Sequence, residues 1–368
     1  MRWAWRRAAP AWRWTARPMR AAWNSGARTP TGGVERGPQA SIRPAHRPWT
    51  MRHPFKERRM QDTHECIVVG AGPAGLTAAL YLARFRRDVM VLHDGQSRAL
   101  RIPRTHNAPG FPDGVSGTDL IQRMQEHAAE YGAQFEEAEI VRASREGGTF
   151  VLASRDGRVF RARTLILATG LFLNQVDLDD ATHEQAIRDG VLRYCPVCDA
   201  YEHTGRRIGV IGCNVNGAAE ALFLRQYSHE LVLMPRDYAE LTEEQHAQLD
   251  HAGIEVIETP VERFVPHEDH ICVYLEGGGE PLRFDVVYPA LGCRQRTELA
   301  VQLGVPVDEL GSTDVRSPFG TEVPGLYCAG DIVDGLDQIS VAMGHGAIAA
   351  TKAHNWLRAQ DAHTLQDS

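Results

Sequence analysis

The chain holds one closely spaced cysteine pair, in the stretch Cys195-Pro196-Val197-Cys198-Asp199. Two thiols three residues apart serve either a metal knuckle or a reversible disulfide. A structural zinc normally takes four ligands, usually as two such pairs. The sequence has seven cysteines but no second C-x-x-C. His203 or Asp199 could complete a metal set, but no metal is assigned. The redox reading has a mechanism of its own. Three-residue spacing at a helix start brings both sulfurs within disulfide reach, and Pro196 suits the first helical turn. There the helix dipole lowers the thiol pKa and favours the nucleophilic thiolate. Asp199 can supply or take the proton that such an exchange needs. Two electrons must then be stored nearby, so the elements that carry a cofactor come next.

The stretch "ECIVVGAGPAGLTAALYLARFRRDVMVLHDG" begins at Glu65. It predicts a buried strand at Cys66–Val69, a helix at Leu76–Phe85 and a second strand at Val89–Leu92. Gly70, Gly72 and Gly75 fall between the first strand and the helix in G-x-G-x-x-G spacing. The first lets the chain turn, the second lets backbone approach a pyrophosphate, and the third lets helix and strand pack closely. The helix N-terminus then offers unpaired N–H groups to phosphate. The acid expected at the end of the second strand is shifted by one residue: His93 holds the usual place, and Asp94 is the ribose-binding substitute.

Later segments identify the nucleotide. "TLILATG" (164–170) reads as a strand ending in a turn at Gly170, and "PGLYCAGD" (324–331) as another, with Asp331 set after Gly330. "DQISVAMGHGAIAATKAHNWL" then begins a long helix. Each strand ends where an open parallel sheet places its ligand. Together these segments resemble the FAD domain of flavoproteins with two dinucleotide folds. The resemblance implies that Asp331 holds the ribityl chain, and that Gln338 and Ile339 meet the flavin ring. His345, in "GHG" on that helix, reads as a solvated helix histidine, with a second base as the alternative.

Residues 208–233 repeat the strand–loop–helix–strand plan around Gly212 and Gly217. Asn214 stands where the second glycine belongs. Asn tolerates positive φ better than most residues, so the turn can survive, but its side chain would crowd a pyrophosphate. Arg236 is the one basic residue placed for a 2′-phosphate, and no acid suited to NAD ends the strand. NADPH or NADH is therefore a possible second cofactor through Gly212, Gly217 and Arg236, weakened by orders of magnitude if paired arginines are missing.

Composition frames these sites. The chain has 368 residues and a net charge of −7, room for two or three domains. The longest apolar run, 164–173, is too short to span a bilayer, so no membrane role is expected. Scattered cysteines fit a reducing, cytoplasmic setting better than a disulfide scaffold. Residues 1–60 differ from the rest: thirteen Arg and Lys56 stand against Glu35 and Glu57, with six of the seven Trp. They read as disordered, and either as a transit peptide or basic arm or as upstream DNA translated in frame, with Met60 the natural start. No nucleic-acid partner is assigned to them.

From about Cys66 to Trp356 the chain resembles low-molecular-weight thioredoxin reductase. The order "GAGPAG", "THNAPGFPDGVSG", "ATG", C-x-x-C-D, second nucleotide fold, "GLYCAGD", "DQISVAMGHGAIAA" carries the resemblance. It implies an α/β fold of two Rossmann-like dinucleotide-binding domains, the second inserted into the first. Residues 61–174 and 293–358 would bind FAD, 175–292 would form the inserted NAD(P)-type domain with the C-x-x-C, and 359–368 would be a polar tail. It further implies a homodimer, electrons passing from NAD(P)H through FAD to the disulfide, and a thioredoxin-like protein or small disulfide as substrate. Cys198 would face the flavin, Cys195 would exchange with substrate, Asp199 would be the acid/base, and Asn107 would contact the flavin. Asn214, Pro235 and Glu240 replace a glycine and two arginines kept by NADPH-dependent members. Ala200 and the following Tyr-Glu match related dithiol oxidases, which pass electrons from a dithiol to flavin and oxygen. Those enzymes usually have His where this chain has Asp199. The same residues are compatible with a relative reduced by ferredoxin and with a flavin-binding redox sensor without turnover.

Overall fold

The computed structural model of the protein describes residues 63–309, 311–313 and 320–364. The readings made for residues 1–60 lie outside the described residues. Strand β1 (His64–Val69), helix α1 (Pro73–Arg84) and strand β2 (Val89–His93) open the described chain. After them come α2 (Gly117–Glu130), β3 (Gln134–Glu137), β4 (Ile140–Glu146), β5 (Thr149–Ser154) and β6 (Val159–Leu167). The chain leaves this layer along β7 (Leu171–Leu173), then forms α3 (Asp180–Asp189) and the single turn α4 (Pro196–Asp199). A second unit follows: β8 (Ile208–Ile211), α5 (Val215–Leu224), β9 (Leu231–Met234), α6 (Glu243–His251) and β10 (Glu255–Val256). A meander of β11 (Val261–Pro266), β12 (Ile271–Leu275) and β13 (Leu282–Phe284) leads to β14 (Val286–Pro289). The chain returns through β15 (Cys293–Gln295), α7 (Glu298–Gln302), β16 (Leu326–Cys328) and α8 (Ile339–Gln360).

The first sheet runs β3-β2-β1-β6, with β16 parallel to the second half of β6 and the antiparallel β5 and β4 against its first half. Cys66, Ile67, Val68 and Val69 are all buried, as expected for a strand covered on both faces. The second sheet is parallel, in the order β10-β9-β8-β14. Strands β7 and β15 pair antiparallel where the chain passes between the two sheets. Two open sheets, the first mixed and the second parallel, each with a parallel β-α-β unit opened by a glycine turn, make this the α/β fold with two Rossmann-like domains.

The boundaries differ from the sequence reading in local ways. The first helix starts at Pro73 rather than Leu76, because proline's fixed φ and missing N–H suit the N1 position. The strand expected over 324–331 shrinks to Leu326–Cys328: Pro324 lacks an N–H to donate, and Gly325 turns at φ +83. Helix α8 runs to Gln360, two residues into the stretch read as a tail. Its end is anchored, since the Asp361 carboxylate meets both Arg163 (2.6 Å) and Arg87 (3.3 Å).

Helices α1 and α8 pack at backbone distance. A Cβ placed on Gly346 would lie 2.1 Å from the Ala74 carbonyl oxygen, whereas one on Gly344 would meet nothing within 4 Å. Ala78, Ala349, Ala350 and Ala353 fill the rest of that crossing, all fully buried. Opposite effects of one substitution follow. Gly346→Ala should lower the thermal midpoint, at a cost of about 1–3 kcal/mol for overpacking. Gly344→Ala should leave it unchanged or raise it, because alanine is the better helix former by roughly 0.5–1 kcal/mol. Thermal unfolding followed by circular dichroism separates the two; a matched response would place the close contact elsewhere.

Candidate active site

Cys195 and Cys198 form a disulfide, with Cα atoms 5.2 Å apart. Cys195 is the N-cap of α4 and Pro196 its first helical residue. A four-residue helix has only a weak dipole, so the dipole expected from the sequence contributes little here. Another group takes that role. Gln338, at the start of α8, donates its Nε2 hydrogens toward both sulfurs, at 3.4 Å (Cys195) and 3.5 Å (Cys198). Its orientation is fixed by a chain of hydrogen bonds. Thr105 Oγ1 donates to Asn107 Oδ1 (2.8 Å), and Asn107 Nδ2 donates to Gln338 Oε1 (2.9 Å) and to the Val197 carbonyl (3.3 Å). Asn107 thus touches the C-x-x-C turn itself. His106 and Glu202 add an ion pair (3.0 Å), and Arg101 of the first unit reaches Glu184 of α3 (2.7 Å).

Asp199 closes α4 on the side of the second sheet. Tyr288 donates its hydroxyl to Oδ1 (2.8 Å), and the Arg193 guanidinium lies 3.5 Å from Oδ2. Burial dominates and pushes the carboxyl up to about 6, against the opposing pull of Arg193 and Tyr288. A carboxyl poised there can hold a proton near neutral pH and release it. His203 sits edge-on to the Tyr288 ring at 6.1 Å, and burial, then Arg193 and Arg206, push it down to about 4. It is neutral.

A cavity of about 710 Å³ opens at the carboxyl ends of β1, β2, β6 and β16, within the size range of ligand sites. Gly70, Gly72, Asp94, Gly170, Gly330, Asp331, Gln338 and Ile339 all line it. Gly75 lies beneath, where a Cβ would stand 1.8 Å from the Gly70 carbonyl oxygen. Gly70, at φ +112, makes the turn that a side chain would block at 2.2 Å from Ala168. The N-cap of α1 is Gly72, with no side-chain cap, so its first turn faces the cavity. An uncapped helix N-terminus at a glycine turn fits the pyrophosphate of a dinucleotide. Asp94 accepts from Arg296 (2.6 Å) and the Gln96 N–H (2.9 Å). Burial would raise its pKa, but these bonds together leave it lowered.

The second glycine turn is built differently. Gly212 takes the positive φ (+125), while Asn214 is extended at φ −145; the left-handed role expected of Asn214 falls to Gly212. Asn214 instead caps α5, its Oδ1 accepting from the N–H groups of Asn216 (3.0 Å) and Gly217 (3.1 Å). Those N–H groups at the helix N-terminus are what a pyrophosphate would otherwise engage. Gly217 keeps its packing role, a Cβ there standing 1.6 Å from the Gly212 carbonyl oxygen. Arg236 is exposed and lies 4.0 Å from Asp237.

Several site residues escaped the sequence reading. Arg98 pairs with Asp331 (3.0 Å), and with Arg101 and Arg296 it places three cations on the cavity wall. The signal was present in "SRALRIPR", an arginine-rich run soon after Asp94. Tyr288 and Arg193, the partners of Asp199, carried none. His345 is half-buried and bonds the Gly330 backbone, close to Asp331, rather than standing in solvent. The Asp199 geometry makes a directional prediction. Thiol–disulfide exchange followed by rapid mixing should show an inflection near pH 6. Tyr288→Phe removes a bond that favours the carboxylate, so the inflection moves up, and Asp199→Asn removes it. An inflection that ignores both substitutions would belong to another group.

Comparison with known proteins agrees with this architecture. The family model described as pyridine nucleotide-disulphide oxidoreductase matches residues 64–346. The chain is 25% identical over 315 residues to a 34.2 kDa protein of the rubredoxin operon of Clostridium pasteurianum, covering 82% of this chain and 99% of that protein. It is 26% identical over 308 residues to thioredoxin reductase of Listeria innocua, covering 81% and 95%. Among solved structures, HlmI superposes with a TM-score of 0.75 at 28% identity, over 82% of this chain and 94% of that one. With two Rossmann-like units, a disulfide set beside a cavity at the strand ends and a family match along nearly all of the described chain, the protein belongs to the pyridine nucleotide-disulphide oxidoreductase family, on its thioredoxin-reductase-like branch.

Proposed function

We propose that the protein exchanges two electrons between an FAD bound in the large cavity and the Cys195–Cys198 pair, and through that pair with an external thioredoxin-class disulfide or small dithiol. One observation carries the reading: Gln338 lines the cavity and donates to both sulfurs. In this assignment residues 61–174 and 293–358 bind FAD, 175–292 carry the disulfide, and the enzyme works in the cytoplasm as a homodimer. The relatives' names supply the thioredoxin-class substrate. Gly70, Gly72 and the start of α1 receive the pyrophosphate, with Gly75 packing the helix behind it. Asp94 receives the ribose, and Gly170, Gly330 and Asp331 the rest of the chain. Asn107, Gln338 and Ile339 border the ring. When bound, FAD supplies a two-electron acceptor and donor beside the disulfide.

The residues of the chain then do the following. An external thiolate attacks Cys195, the sulfur given the exchange role, and releases Cys198 as a thiolate. The Gln338 amide steadies that thiolate through its N–H groups. Asp199, held near 6 by burial, stores the proton and returns it when the pair reoxidises. Dithiol plus enzyme disulfide gives substrate disulfide plus enzyme dithiol, so two electrons and two protons enter the pair. The reverse sequence reduces a substrate.

The capped second turn favours one direction. With Asn214 occupying the N–H groups of Asn216 and Gly217, binding of NAD(P)H through Gly212, Gly217 and Arg236 must compete with these two internal hydrogen bonds. That constraint supports a second reading, a nicotinamide-independent enzyme that takes electrons from a dithiol and delivers them to oxygen. An anaerobic titration of the FAD-loaded protein tests both levels. Dithiothreitol should bleach the flavin, and Cys198→Ser should abolish bleaching while flavin stays bound; unchanged bleaching would remove the pair from the path. NADPH should bleach only at high concentration, and Asn214→Gly should lower the concentration needed by about tenfold, the worth of one freed hydrogen bond. Efficient bleaching of the unaltered protein by micromolar NADPH would restore the reductase direction.

A further inference from the structure

We infer that the tip of the β11–β12 hairpin is a binding site for a borderline-soft divalent cation of the zinc class, formed by His267, His270 and Cys272. The turn between the strands consists of Glu268 and Asp269, closed by the His267 N–H on the His270 carbonyl (2.8 Å). Pro266 and Ile271 pair across the strands, so His267 and His270 face each other one step beyond them. Directly opposed residues project from the same face of a hairpin, and so do residues two apart on one strand. That places His267, His270 and Cys272 together, while the intervening Ile271 points into the core and is fully buried. Their donor atoms all lie within 4.8 Å of one another. The two imidazoles stack at 4.4 Å between centroids.

This donor set matches the chemistry of zinc. Imidazole and thiolate are the ligands that d¹⁰ and late first-row cations prefer over oxygen-loving magnesium or calcium. Tetrahedral bonds of about 2.0–2.3 Å require donor separations of roughly 3.3–3.6 Å, so the side chains must close by about an ångström. His267 is exposed and the hairpin tip faces solvent, which leaves room for that rotation. A supporting contact is also in place. His270 Nδ1 donates to the Asp269 carboxylate at 2.6 Å, leaving Nε2 for a metal, the carboxylate–histidine arrangement typical of metal sites. Asp269 lies 3.7 Å from Arg283 on the adjacent strand β13. His267 also borders a hollow of about 370 Å³ that includes Asp189, space for a fourth, exchangeable ligand. Binding would tie the ends of two strands of the second unit together. The site shares no residue with the cavity or the disulfide.

The test uses the full chain with Cys195–Cys198 kept oxidised, so that the active-site sulfurs cannot ligate. Zn²⁺ is titrated against a chromophoric chelator, and alkylation of Cys272 is followed in parallel by peptide mass spectrometry. One equivalent should bind with Cys272 protected from alkylation at least tenfold. Cys272→Ser and His267→Ala should each weaken that equivalent by tenfold or more, and Asp269→Asn by roughly ten- to a hundredfold. Unchanged alkylation of Cys272 at saturating Zn²⁺ overturns the site even if a variant fails to fold. So does a Zn²⁺ equivalent that survives both ligand substitutions.

Discussion

The backbone-close packing of α1 against α8 is the constraint from which the site geometry follows. Neither helix could approach the other with a side chain at Gly346, because its Cβ would enter the Ala74 carbonyl. Small residues on both helices let dispersion contacts form between backbones rather than between long side chains, at the packing density of a protein interior. That packing sets the N-termini of α1 and α8 on the same cavity. One supplies uncapped N–H groups at Gly72, the other supplies Gln338. An uncapped helix N-terminus and the amide that meets the disulfide are thereby placed on one cavity by a single helix pair.

The disulfide depends on that placement for its electrostatics. The single turn α4 offers little dipole, so the amide of Gln338 is the polar group that meets the sulfurs. A glutamine side chain could rotate either way, and Asn107 settles the matter by donating to its oxygen. The nitrogen must then face the cysteines. Thr105 in turn fixes Asn107, so one segment far from the cysteines in sequence orders their immediate surroundings. Asp199 is served from the opposite side by Tyr288 and Arg193. The disulfide turn is thus held from two sides: Gln338 and Asn107 orient its surroundings, while Tyr288 and Arg193 meet Asp199.

The two glycine turns show how similar backbones diverge in function. Both use a third glycine whose Cβ would strike the carbonyl of the first, so both helices pack equally close to their strands. They differ at the middle position. Gly72 leaves the helix N-terminus facing the cavity, whereas Asn214 satisfies the corresponding N–H groups from within the chain. A side-chain cap of this kind stabilises a helix by about 1 kcal/mol, and it competes with any external anion for the same donors. Fold retention and ligand binding are separable here because they rest on different glycines.

Much of this was legible in sequence because it depends on local chemistry. Buried strands, glycine spacing, Pro196 at a helix start and the disulfide pair are each determined within a few residues. The α/β class with two nucleotide folds followed from their repetition. The residues lining the cavity were legible for the same reason, since strand ends in a parallel sheet converge on one edge. Distance in the chain hid the rest. The hydroxyl partner of Asp199 lies at 288, and the arginines of Asp94 and Asp331 at 296 and 98. Asn107 meets Gln338 across 231 residues. Ion pairs and amide orientations of that kind carry no spacing pattern, because only the folded sheet order brings their strands together. Sequence alone determined which backbone turns could form, which of them a side chain closes, and which atoms could react; the tertiary structure decided which charges stand beside those atoms and how deeply each is buried, and with that burial the raised pKa of Asp199.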